Sequence, residues 1–158
     1  MVSMAATSEP FDFGILLVLA YQEFVRELRE HLAVQGFDDQ GRSDGYVLRT
    51  LDASPMTTSE LADRLAISKQ GAGQLIDDME RRGYVERRPD PRDGRARLLH
   101  LSERGGDALA AARRFHRTYE RRLTRTHGPD TVARVRALLA SMAGEDQAAD
   151  PRFRALYL

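Results

Sequence analysis

Apolar residues recur along this chain at helical spacing in six places, and after the fourth the period shortens to that of strands. Residues 11–35 place Leu17, Tyr21, Phe24, Leu28 and Leu32 on one face with Val18 and Val25 beside them, a wide stripe for one helix. Tyr46, Val47, Leu48 and Leu51 mark a second helix over 43–53, ended before Pro55. Thr57 and Glu60 then stand three apart ahead of Leu61, Ala62 and Leu65, the spacing of a capping box. A helix of about two turns follows from it. A tight turn at Ala66 and Ile67 leads to Ser68, which can cap a further helix whose buried stripe is Ala72, Leu75, Ile76 and Met79. Past Gly83, a natural helix stop, YVERR and RARLLHL are β-prone. PDPRDG lies between them, with Asp93-Gly94 supplying the turn chemistry of a hairpin. Ser102 can cap a helix of about seven turns carrying Leu109, Ala112, Phe115, Tyr119 and Leu123, closed by Gly128-Pro129. A last helix repeats Val132, Val135, Leu138, Leu139 and Met142 and stops near Gly144. The tail DPRFRALYL is apolar and is better covered than left in water.

The fourth helix has a polar outer face of Lys69, Gln70, Gln74 and Asp77. Gly71 and Gly73 remove side-chain bulk there, at a cost of about 1 kcal/mol each relative to alanine, which fits a helix approached closely by another surface. Helix, short turn and helix form the unit that sets its second member in a DNA major groove, and a hairpin rich in arginine can reach a neighbouring groove.

The segment TTSELADRLAISKQGAGQLIDDMERRGYVERR, the hairpin tip DPRDGRAR and the helix opening LSERG together resemble the winged helix-turn-helix of the MarR family of bacterial transcriptional regulators, over nearly the whole chain. The family's Asp-x-Arg-x-x-Arg wing pattern falls on Asp90, Arg92 and Arg95. The resemblance implies a mainly α fold with a small β-hairpin wing: residues 43–101 as a DNA-binding domain, and 11–36 with 103–158 as helices that intertwine across a two-fold axis. It implies a homodimeric regulator, a repressor, on an inverted-repeat operator of double-stranded DNA, with recognition helices about 34 Å apart. It further implies release by a small aromatic or phenolic ligand between the dimerisation helices and the DNA-binding lobe. Tyr21, Phe24, Tyr46, Phe115, His116 and Tyr119 are candidates for such a cleft, with plain core packing as the other reading.

Composition refines this picture. The net charge is zero, unlike that of most nucleic-acid-binding proteins, but its distribution is uneven. Residues 1–56 hold 4 arginines and 9 carboxylates, whereas residues 81–97 hold 7 and 3 and residues 98–127 again hold 7 and 3. Positive charge therefore collects on the hairpin and the helix after it. There is no cysteine, which excludes disulfides and thiolate metal sites. The first helix carries Glu23, Arg26, Glu27, Arg29 and Glu30, so no membrane span or signal peptide is expected there, and cytoplasmic residence is the simplest inference.

Roles follow from side-chain chemistry. Gln70 and Gln74, one turn apart, suit bidentate contacts to adenine edges; Lys69, the only lysine, suits guanine or phosphate. Ser68 and Thr58, near helix starts, suit phosphate, and Gly73 permits close approach. Arg92 and Arg95, with Arg97 beside them, suit a narrow minor groove; Asp90 is placed to orient a wing arginine. Asp77 would repel phosphate, so it either accepts from a cytosine amine or pairs with a nearby arginine. Two other readings compete. An enzyme finds little support, since His31, His100, His116 and His127 show no metal-ligand spacing and there is no P-loop or GxSxG; neither metal nor cofactor is expected. A MarR-like protein acting through protein partners without specific DNA binding is the second, and the two wing arginines and two glutamines count against it.

Overall fold

The computed structural model describes residues 11–144, so the tail DPRFRALYL lies outside the described residues. Six helices and one hairpin follow in the predicted order: α1 Phe13–Val34, α2 Asp44–Ala53, α3 Thr58–Leu65, α4 Lys69–Arg81, β1 Val85–Pro89, β2 Arg97–Leu101, α5 Glu103–His127 and α6 Pro129–Ala143.

Local chemistry sets the boundaries of the central elements. The capping box at α3 forms in both directions, Glu60 N–H donating to Thr57 Oγ1 at 3.2 Å and Thr57 N–H donating to Glu60 Oε2 at 2.7 Å. Ser68 caps α4 by accepting from Gly71 N–H at 3.0 Å, and Ser102 caps α5 by accepting from Gly105 N–H at 3.0 Å. Between α3 and α4 the chain turns through Ala66, which takes the left-handed conformation at φ 53°, uncommon for a residue with a Cβ. Gly83, at φ 77°, ends the turn after α4.

The core lies under the helix-turn-helix and the hairpin. Val47, Leu48 and Leu51 of α2, Leu61 and Leu65 of α3, Ile76 and Met79 of α4, Tyr84, Val85 and Leu99 of the hairpin, and Ala108 and Leu109 of α5 form one buried cluster. Strands β1 and β2 pair antiparallel from Val85↔Leu101 to Pro89↔Arg97. Met56, ahead of α3, adds a bridge to Leu99, with Leu99 N–H donating to Met56 O at 2.7 Å.

In the hairpin connection Asp93-Gly94 opens a four-residue turn, as expected, but that turn sits inside a longer loop. Pairing stops at Pro89↔Arg97, leaving a seven-residue loop, 90–96. Ala96 N–H donates to Asp93 O at 2.9 Å, and Gly94 stays out of the left-handed region that a two-residue type I′ turn requires. The reason is visible in the loop: Asp90 and Asp93 accept from the backbone N–H of Arg92 and Arg95 at 2.8 and 3.0 Å, two aspartate turns that widen the tip.

Outside this core the packing thins. Of the α1 stripe only Leu32 is buried, and α6 buries nothing among the described residues. Phe11, Phe13, Ile15, Leu16, Val18, Leu19 and Tyr21 are 43–59% exposed, and Val135, Leu138, Leu139 and Met142 are 47–50% exposed. On α6 these share one face at i, i+3, i+4 and i+7 spacing, and on α1 they surround the first two turns.

One glycine is fixed by sterics. A Cβ on Gly105 would lie 2.0 Å from Tyr84 O, because the first turn of α5 sits directly on the chain entering β1. Gly105→Ala should lower stability by at least about 1–3 kcal/mol, the range for overpacking, and more if the backbone cannot shift. Gly106→Ala, with open space around its Cβ, should be neutral or stabilising in the same thermal melt.

Candidate nucleic-acid interface

The polar residues of α4 stand on the outside of a helix whose inner face is closed. Ala72, Ile76 and Met79 are fully buried, while Ser68, Lys69, Gln70, Gln74 and Asp77 are exposed. A Cβ built on Gly73 meets nothing within 4 Å, so the surface there is low and open. Thr58 begins α3 and is half-buried. The α4 candidates are thus solvent-accessible, whereas Thr58 lies on the neighbouring helix and is partly covered.

The wing divides its arginines. Arg92, Arg95 and Arg97 are exposed, and neither Arg95 nor Arg97 has a side-chain partner among the described residues. Asp90 is buried, accepts from the backbone of Arg92, and lies 3.6 Å from the Arg92 guanidinium. It therefore shapes the loop and restrains Arg92 loosely. Glu60 is held below the usual carboxylate range, chiefly by the hydrogen bonds with Thr57 and to a smaller degree by Arg92, which places the wing loop beside the first turn of α3. Arg87 and Arg88 point elsewhere: Arg87 pairs with Asp77 at 2.6 Å and with Glu80, and Arg88 pairs with Glu86. Of the two roles open to Asp77, pairing with an arginine is the one the structure contains.

Beneath this surface lies a polar network that the sequence pattern gave no sign of. Asp44 opens α2 at 0% exposure and accepts from Arg82 Nη1 at 2.5 Å, while Arg82 Nη2 donates to Asp78 at 2.6 Å. Arg82 also donates to Asp39 O at 2.7 Å, and Gly41 N–H completes the Asp44 carboxylate at 2.8 Å. These partners hold the Arg82 guanidinium firmly charged. Asp39 accepts from the Tyr84 hydroxyl and from Arg104 at 3.1 Å, and Arg104 stacks 4.7 Å over the Tyr84 ring. Burial and the Asp39 carboxylate push the Tyr84 phenol up to about 12. Burial alone would raise Asp39, but Tyr84 and Arg104 outweigh it and hold the carboxyl low.

The candidate ligand residues fall into two sets, four of them packed ring against ring and Tyr46 beside the exposed Tyr21. Phe24 of α1 stacks against Phe115, His116 and Tyr119 of α5, with ring centroids 5.5, 5.2 and 5.0 Å apart. Tyr46 of α2 lies beside Tyr21, and burial followed by that neighbour raises its phenol. Burial and then Arg49 lower the imidazole of His116. A groove of about 460 Å³ between α1 and α5 shares only Phe115 with this set, and one of about 500 Å³ between α5 and α6 shares none.

Comparison with known proteins agrees with this geometry. A family model described as MarR family matches residues 39–96. The HTH-type transcriptional regulator PetP of Rhodobacter capsulatus is 30% identical over 157 residues, covering 96% of this chain and 87% of that protein. Among solved structures, the transcriptional repressor CouR bound to a 23-mer DNA duplex superposes with a TM-score of 0.65 at 28% identity, over 90% of this chain and 99% of CouR. The reduced form of MarR from E. coli gives 0.64 at 26% identity, over 85% and 98%. No helix among the described residues is long and apolar enough to cross a membrane.

Removing one partner of the buried pair leaves a charge without compensation, so Arg82→Ala should cost about 3–5 kcal/mol. The thermal midpoint should fall by roughly 10 °C or more. Asp39→Asn carries a pH signature instead. The Asp39 carboxyl is lowered on folding, so its contribution is present at neutral pH and lost as pH falls through that lowered value. The variant should be less stable than the parent at pH 7, and the gap should close in acid when melts are compared across pH.

Proposed function

The chain belongs to the MarR family, and on that premise we propose that it is a sequence-specific DNA-binding transcriptional regulator, acting as a repressor on an inverted-repeat operator. The carrying observation is the accessible side of α4, where Lys69, Gln70 and Gln74 stand exposed over a sealed inner face, with the free arginines of the wing near the same lobe. Glutamines on a recognition helix read adenine edges, Ser68 and Thr58 meet phosphate near helix starts, and Arg92, Arg95 and Arg97 supply the wing contact.

The regulator acts as a homodimer through residues 11–36 and 103–158, and residues 43–101 read DNA. The exposed apolar faces of α1 and α6 support this, since a second copy would remove both from water. A small aromatic or phenolic ligand releases it from DNA, meeting Tyr21, Phe24, Tyr46, Phe115, His116 and Tyr119. The half-buried Arg49 near His116 and Tyr46, with no ion-pair partner among the described residues, suits the acid group of such a ligand.

Light scattering should give about twice the 17.8 kDa chain mass. A monomer at micromolar concentration would remove the inverted-repeat operator with the dimer.

Selection of duplexes from a random pool, followed by binding in graded salt, tests the contacts. Gln74→Ala should cost roughly 1–3 kcal/mol on the selected duplex and little on unrelated DNA, because a lost bidentate contact removes discrimination. Arg92→Ala should weaken binding and reduce the slope of log K against log salt by about 0.9. Replacing flanking A·T pairs by G·C should matter to the parent and hardly to this variant, since a narrow groove is what attracts the arginine. Equal loss on both DNAs for Gln74→Ala, or an unchanged salt slope for Arg92→Ala, contradicts the assigned roles.

A further inference from the structure

Three of the thirteen residues of α4 are carboxylates, Asp77, Asp78 and Glu80, and all lie in its C-terminal half. Asp77 is on the same side as Gln70 and Gln74 and is 63% exposed. On a helix that enters a groove, bare carboxylates there would stand within a Debye length of many phosphates, since duplex DNA carries a charge about every 1.7 Å of axis. Each of the three is matched within the chain. Asp78 holds Arg81 at 3.0 Å and Arg82 at 2.6 Å, and Asp77 and Glu80 share Arg87 of β1.

Arg87 is oddly placed for a surface cation. It sits in register with the fully buried Leu99, on the inner side of the hairpin where Val85 is also buried. A hairpin over a hydrophobic core calls for an apolar residue at such a position. Here the side chain instead crosses from the hairpin to the helix and ends between two carboxylates one turn apart. Burial works against its charge, and Asp77 and Glu80 outweigh that effect.

We propose that Arg87 is a positioning residue for DNA binding: by drawing Asp77 and Glu80 back against β1, it keeps the reading face of α4 from repelling phosphate. The inference rests on the DNA-binding reading above. It assigns Arg87 no contact with DNA, in contrast to Arg92, Arg95 and Arg97, and it assigns Asp77 no base.

The distinction can be tested by rescue. The full chain and three variants, Arg87→Gln, Asp77→Asn with Glu80→Gln, and the triple substitution, are titrated by fluorescence anisotropy against the duplex enriched by the unmutated chain and against an unrelated duplex. Arg87→Gln should weaken binding to both duplexes by about tenfold or more, as exposed like charges repel. The carboxylate double variant should bind at least as tightly as the parent. The triple variant, which has lost the clamp altogether, should return to within about threefold of the parent, because the repulsion has gone with the carboxylates. A structural role for the clamp, or a phosphate contact by Arg87, would leave the triple variant as weak as Arg87→Gln, and that result overturns the proposal. So does a double variant bound tenfold more weakly than the parent, since the carboxylates would then be reading DNA. If Arg87→Gln proves unfolded by circular dichroism, the double variant decides by the same criterion. An unmutated chain that binds neither duplex ends the DNA-binding reading and this one together.

Discussion

The guanidinium of Arg82 is the point at which the DNA-binding lobe is fastened. It stands one residue past α4 and reaches the buried start of α2 through Asp44, the loop after α1 through Asp39 O, and its own helix through Asp78. A helix that presents side chains to a groove must be held in orientation as well as in place, and apolar packing alone resists sliding poorly. An arginine fork engaged on three sides resists both sliding and rotation. The same logic continues at Tyr84, whose hydroxyl and ring tie the entry to β1 to Asp39 and Arg104. The end of α4, the entry to β1, the loop after α1 and the start of α2 therefore meet at one polar junction.

What could be read from the sequence was what is local. Capping at Thr57, Ser68 and Ser102 depends on residues three apart, and each forms as the spacing predicts. The element order and the closed inner face of α4 follow from periodicity. The Asp44–Arg82 pair spans 38 residues and Tyr84–Asp39 spans 45, and no period or spacing marks such partners. Gly105 escaped notice for a related reason: its constraint is the carbonyl of Tyr84, which comes close only after the hairpin has folded back. At the hairpin tip Asp93-Gly94 does sit in a turn, but the width of the loop comes from Asp90 and Asp93 each turning the chain on their own.

Charge counting also needed the structure. Seven arginines lie between residues 81 and 97, yet Arg81, Arg82, Arg87 and Arg88 are engaged by carboxylates of α2, α4 and β1. Of those seven, Arg95 and Arg97 are left without a carboxylate among the described residues and Arg92 is held only loosely by Asp90, a narrower set than the cluster in the sequence. A net charge of zero thus hides an uneven surface, because many acids among the described residues are occupied by internal ion pairs.

The length of α5 turns small angles into distances. At about 1.5 Å per residue its 25 residues span roughly 37 Å, from the wing, where Ser102 donates to Gly83 O at 2.5 Å, to α6. Ser102 at one end is bonded to the turn before β1, and toward the other end, among the described residues, Arg122 pairs with Glu27 of α1 and Glu120 with Arg136 of α6. A tilt of about 5° at that far end displaces the lobe by roughly 3 Å, close to the 3.4 Å rise of one base pair. A helix this long would turn a small change in the setting of its far end into a shift of about one base step at the end that carries Ser102.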